Sequence, residues 1–144
     1  MHGDYWLGNV LFDGEPPQIT GILDWDCMRA SGCPGYDALH LVLVTLAMQR
    51  QQSPGRYLEE VWTKKWSSDL VPRMLGEIER TFHLGPLDVE YLAALLWLTL
   101  LWQRNVQRDT NWQEEMIRRP ANAFLRWHAM FGASPPMSNS GRHV

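Results

Sequence analysis

Two short runs of this chain read as β-structure, and both lie within residues 9–25 of its 144. Asn9–Phe12 and Ile19–Trp25 are rich in β-branched and aromatic residues, and the Asp13-Gly14-Glu15-Pro16-Pro17 between them is turn chemistry. They predict one β-hairpin with a loop longer than two residues. The sequence beyond it turns to helical patterning, broken at Ser31-Gly32-Cys33-Pro34-Gly35, Ser53-Pro54-Gly55 and Gly85-Pro86. The expected architecture is therefore lopsided: α+β, mostly α, with a hairpin feeding about five helices. Its chemistry should concentrate where hairpin, loop and first helix meet.

The first helix is expected over Ala38–Gln49 with Asp37 as its N-cap, buried on most sides because nearly every position from Leu39 to Met48 is apolar. Amphipathic helices follow over Tyr57–Trp66 and Asp69–Phe82, the second capped by Asp69. Val89–Arg104 is the most apolar helix and is expected to be buried; its longest apolar run, Tyr91–Trp102, is too short to span a bilayer. Asn111 opens the last helical segment, which Pro120 should interrupt or restart and Gly132 should cap. Residues 1–132 are expected to form one domain and 133–144, rich in Ser and Pro, a disordered tail.

Apolar residues make up 45% of the chain, enough for a packed core, and the formal charge of −3 argues against a general nucleic-acid binder. Arg118 and Arg119 follow Glu114 and Glu115, the pattern of a solvated helix face. Cys27 and Cys33 lack the spacing of a zinc or redox pair and are expected to be thiols in a reducing compartment. With no leader-like or membrane-spanning run, the expected location is cytoplasmic, with no nucleic-acid or membrane partner. Most of the eight tryptophans are expected in the core.

The polar residues of the hairpin region form a pattern. Asp4 and Asn9 flank a short loop, and Asp24 and Asp26 end the second strand two residues apart, sharing a face if the strand stays extended there. Folding back the hairpin brings Asn9 near Asp24. Carboxylates with an amide oxygen form a hard ligand set suited to Mg²⁺, and a carboxylate left off the metal can accept a proton from an attacking hydroxyl. Such groups serve phosphoryl transfer; taken singly, Asp4 and Asp24 read equally as turn residues at hairpin ends.

His2-Gly3-Asp4-x-x-x-x-Asn9 followed by Val10-Leu11-Phe12 resembles the catalytic loop of the aminoglycoside phosphotransferase and choline kinase group, relatives of protein kinases. Ile22-Leu23-Asp24-Trp25-Asp26 is similar to the group's metal-binding element, and Gly35-Tyr36-Asp37-Ala38-Leu39 to the segment opening its next helix. The resemblance covers residues 2–45. It implies the C-terminal lobe of a kinase-like fold, and an ATP- (or GTP-) and Mg²⁺-dependent phosphotransferase acting on a small hydroxyl acceptor: an aminoglycoside, a sugar or an amino alcohol. By resemblance Asp4 is the catalytic base, Asn9 and Asp24 bind the nucleotide-bound Mg²⁺, Asp26 is a weaker metal neighbour, and His2 and Asp37 brace the loop.

The group's glycine-rich loop and phosphate-binding lysine precede the catalytic loop. Only Met1 does so here, so an absent N-lobe is expected, through truncation, a late start or supply by another chain. The isolated chain is then expected to be inactive and prone to association. The alternatives are a non-catalytic remnant or binding module that keeps the fold, and a Mg²⁺-dependent hydrolase. Candidate acids for a cationic acceptor are Glu59, Glu60, Asp69, Glu77, Glu79, Asp88 and Glu90, each more readily read as a solvated helix residue.

Overall fold

The computed structural model describes residues 1–85, 87–103 and 110–132. The expected tail and the end of the apolar helix at Arg104 lie outside the described residues. Two antiparallel strands, β1 (Val10–Asp13) and β2 (Gln18–Ile22), form the predicted hairpin. Val10 pairs with Ile22 and Leu11 with Gly21, but Phe12 pairs with Ile19, so Thr20 is an extra residue bulged out of the ladder.

The helices are α1 (Tyr36–Gln49), α2 (Pro54–Thr63), α3 (Leu70–Phe82) and α4 (Asp88–Gln103), then a short α5 (Thr110–Gln113) and α6 (Arg119–Trp127). Mostly helical with one small sheet, the architecture matches the predicted class. Leu39, Leu43, Leu46 and Ala47 of α1 interlock with Tyr57, Leu58, Val61 and Trp62 of α2 and with Val89, Ala93 and Leu96 of α4. Trp62, Trp97 and Phe124 pack edge-on beneath Trp127, with Trp62 and Phe124 ring centres 5.4 Å apart.

Several local expectations change. α2 starts at Pro54, three residues before the predicted Tyr57. Ser53 is its cap, accepting the Gly55 N–H at 3.2 Å, and Pro54 takes the first turn, where its missing N–H costs nothing. Asp69 holds the cap position of α3 without capping it; the Ser68 hydroxyl accepts the Leu70 N–H instead. Pro120 stands where the last helix restarts. The chain widens into a π turn at Glu114–Arg118, where the Arg119 N–H reaches back to the Glu114 carbonyl, and α6 resumes with Pro120 in its first turn. The Met116 carbonyl, which a residue other than proline would bond, is met by the Trp97 indole N–H at 2.6 Å. Gly132 ends a second π turn, His128–Gly132.

The apolar helix α4 is not buried all round. Tyr91, Leu95, Leu98 and Trp102, at helical spacing along one face, are 44, 38, 58 and 70% exposed. Among the described residues no helix is long and apolar enough to cross a membrane.

Candidate functional site

Helix α1 is the platform of the site. The Asp37 carboxylate accepts two backbone N–H groups of the loop, His2 at 2.7 Å and Gly3 at 2.9 Å. Asp37 is thus not the helix cap: α1 begins a residue earlier at Tyr36, Gly35 holds the cap position, and the side chain in the first turn goes across to the loop. The helix N-terminus favours that negative charge. Eight residues on, the Thr45 hydroxyl accepts the Leu7 N–H at 3.4 Å. Between these anchors the loop turns at Gly3, whose φ is +87° and where a Cβ would sit 2.6 Å from the Cys27 carbonyl oxygen. Glycine there lets the Asp26–Cys27 turn pass directly under the loop.

Leu23 joins loop to hairpin. Its N–H donates to the Asn9 carbonyl at 2.8 Å, and its carbonyl accepts from His2 Nε2, also at 2.8 Å. The Asn9 side chain closes the loop internally by donating from Nδ2 to the Asp4 carbonyl at 3.0 Å. Asp4, Asn9 and Leu23-Asp24 are therefore one hydrogen-bonded unit, and His2, buried and 4.7 Å from the Trp25 ring, is its pin. Asp37 thus holds the loop through two backbone N–H groups, and His2 ties it to Leu23.

The second strand does not stay extended to Asp26. It ends at Ile22; Asp24 takes a left-handed conformation (φ 57°, ψ 67°) that Asp tolerates better than most residues, and Trp25–Cys27 form a single 3₁₀ turn. The condition for Asp24 and Asp26 to share a face is not met. Asp24 stands exposed at the hairpin end, whereas Asp26 lines a separate cavity behind the loop. Among the described residues no three His, Cys, Asp or Glu side chains converge on a metal-sized point. A Mg²⁺ site here has Asn9 and Asp24 to draw on. That number suits magnesium, which completes its shell with water and phosphate oxygens. The Asn9 amide also fits: its NH₂ is held by Asp4, leaving its oxygen as the hard donor.

His40 is a residue the sequence reading passed over. It is 1% exposed on α1, three residues after Asp37, and its Nε2 lies 3.9 Å from Asp4 Oδ1. The signal was a lone imidazole within the apolar run Leu39–Met48. Burial lowers its pKa below the usual 6.5; Asp4 and Asp37 oppose that and His2 adds to it. His40 is thus neutral at pH 7 and the unfolded chain binds the extra proton on acidification. Stability should accordingly fall as pH drops through about 6.5 toward the lower folded value. Urea midpoints from pH 7.5 to 5.5 should show that fall, and a His40→Asn chain should show a shallower one.

The acids proposed to meet a cationic acceptor are largely engaged. Glu90 is buried and pairs with Lys64, Glu77 with Arg80, and Glu59 with Arg119 at 3.5 Å. Asp88 accepts the Gly85 N–H at 2.6 Å and Glu60 the Ser67 N–H at 3.2 Å. Arg118 and Arg119 form the expected surface pairs with Glu114 and Glu115.

Residues 1–70, which hold the loop, hairpin, α1 and α2, match the model of the phosphotransferase enzyme family. This segment belongs to that family. No curated protein and no solved structure matches the chain. The matched segment contains every residue placed at the phosphotransferase-like site, from His2 to His40.

Proposed function

We propose that the chain carries the catalytic-base and metal side of an ATP- and Mg²⁺-dependent small-molecule O-phosphotransferase, with residues 1–132 as its C-terminal lobe. The observation that carries this reading is the pair of hydrogen bonds at Leu23, its N–H donating to the Asn9 carbonyl and its carbonyl accepting from His2 Nε2, which ties the Asp24 turn to the Asp4 loop. Asp4 accepts the acceptor's hydroxyl proton as its oxygen forms a bond to the γ-phosphorus and the bond to the departing ADP breaks. Asn9 and Asp24 would hold Mg²⁺, which when bound would supply charge neutralisation to the phosphoryl group. His2 and Asp37 fix the loop that carries the base.

Kinase catalysis is positioning and charge stabilisation, and each lost oxyanion-type donor costs about 10²–10³ in rate. A glycine-rich lid and its lysine are proposed to come from a segment outside these residues. Turnover by the 144 residues alone is then expected to stay far below the ~1–100 s⁻¹ typical of kinases. Calorimetric titration with Mg·ATP tests the site directly. Micromolar, Mg²⁺-dependent affinity that weakens at least tenfold in Asp24→Asn is the expected result. Millimolar or absent affinity in the native chain overturns it in favour of a non-catalytic remnant.

A further inference from the structure

Polar side chains interrupt the apolar helix α1, and three of them meet the loop in order. Asp37 holds the His2 and Gly3 N–H groups, and Thr45 holds the Leu7 N–H. His40 comes between them in the chain, three residues after Asp37 and so on the same side of the helix, and it meets Asp4 and Tyr5. Asp37 and Thr45 engage backbone. His40 Nε2 instead faces a side chain, Asp4 Oδ1, at 3.9 Å. The ring lies against Tyr36, with centres 6.3 Å apart and planes 23° from parallel, which restricts where its nitrogens point.

Stability alone does not ask for histidine here. An imidazole buried in an apolar run costs desolvation that leucine would not. Its Nδ1 has no hydrogen-bond partner among the described residues, whereas the ring gives a hydrogen bond to the Tyr5 backbone. That bond then leaves from Nε2, which puts the ring proton on the nitrogen that also faces Asp4. Burial keeps the ring uncharged at pH 7, against the pull of Asp4 and Asp37 and together with the effect of His2. A neutral N–H orients a carboxylate with less loss of basicity than a neighbouring cation imposes.

We infer that His40 is the positioning residue for the proposed base: its Nε2–H, shared between the Tyr5 carbonyl and Asp4 Oδ1, holds the carboxylate in one rotamer and leaves Oδ2 to take the acceptor's proton. This rests on the phosphotransferase reading and adds a residue to it. At 3.9 Å the contact is looser than a hydrogen bond, as such contacts commonly are before substrate tightens them. The Asp4 side chain is 36% exposed, so an acceptor can reach it while His40 stays buried.

The test is NMR of the full chain at about pH 7.5, where an imidazole is neutral, without nucleotide or Mg²⁺. The ring nitrogen shifts of His40 should show the Nε2–H tautomer, and the N–Cγ and C′–Cγ couplings of Asp4 a single χ1 rotamer. His40→Leu should keep or raise the urea midpoint, yet its Asp4 couplings should fall to values averaged over rotamers. His40→Gln, whose amide nitrogen lies as many bonds from Cβ as Nε2 does, should restore the single rotamer. A histidine that only fills space gives the reverse: a less stable His40→Leu chain with Asp4 unmoved. The Nδ1–H tautomer, averaged Asp4 couplings in the native chain or in His40→Gln, or unchanged couplings in His40→Leu overturns the inference. If His40→Leu does not fold, the native tautomer and the His40→Gln couplings decide it. Failure of these readouts with Mg·ATP affinity intact removes His40 alone. The expected readouts without Mg·ATP affinity overturn the phosphotransferase reading and leave His40 orienting a carboxylate that is not a base.

Discussion

Gly55→Ala is expected to destabilise the fold by on the order of 3 kcal/mol or more, against the roughly 1 kcal/mol gain that helix propensity alone assigns to alanine over glycine. A Cβ at Gly55 would fall 1.9 Å from the Glu115 carbonyl oxygen and 2.9 Å from its carbon. Both are backbone atoms, so no rotamer change relieves the clash. The approach is this close because of two neighbouring departures from regular helix. The Arg119 N–H that would ordinarily bond the Glu115 carbonyl reaches Glu114 instead, and Pro120 has no N–H to offer the next carbonyl. The freed Glu115 carbonyl is pressed against α2. Separating the two would also strain the Ser53–Met116 contact and the Arg56–Glu115 and Arg119–Glu59 pairs. Gly76, in the interior of α3 with nothing within 4 Å of its Cβ position, is the control: Gly76→Ala should stabilise by about 0.5–1 kcal/mol. Urea midpoints of the two variants should move in opposite directions, and a Gly55→Ala chain as stable as the native one would refute the packing described.

The same glycine shows what the sequence could and could not reveal. Ser53-Pro54-Gly55 reads locally as a breaker, and each residue does favour a chain reversal. The structure uses all three to begin a helix: a cap, a first-turn proline, and a glycine demanded by a carbonyl sixty residues away in sequence. No local pattern carries that demand. The hairpin and most helix positions were legible because turn chemistry and apolar periodicity are local. The loop was legible because Asp4, Asn9 and Asp24 recur at fixed spacing around a hairpin. That Asp26 leaves the strand face was not legible, because the αL turn at Asp24 rotates it away and only coordinates reveal that turn. Asp37 was read as a cap because an acid before an apolar run is the usual cap signal. Its real partners, His2 and Gly3, lie more than thirty residues back. The bare face of α4 was invisible for a simpler reason: an all-apolar run shows that a helix is apolar, but not which side finds a neighbour.

Asp37→Ala should release the Asp4 loop while leaving the core intact. The substitution deletes the acceptor of two N–H groups and leaves both donors without a protein partner. At about 1.5–3 kcal/mol for each hydrogen bond to a charged group, a loss near 3 kcal/mol is expected after water enters the partly open site. Asp37→Asn keeps one acceptor oxygen and should lose about half as much. The distinguishing readout is local. Amide exchange at His2 and Gly3 should accelerate in Asp37→Ala, whereas the Leu39–Leu46 amides of α1, held by the helix and the core, should keep their protection relative to global stability. Magnesium-dependent nucleotide affinity should weaken with the loop, because Asn9 is fixed by its bond to the Asp4 carbonyl and loses its bearing when that carbonyl moves. Asp37 contacts neither nucleotide nor acceptor in this arrangement, so it is a positioning residue. If exchange at His2 and Gly3 stays slow in Asp37→Ala, the loop is held by His2 and Leu23 alone. The coupling between α1 and the proposed base would then fail.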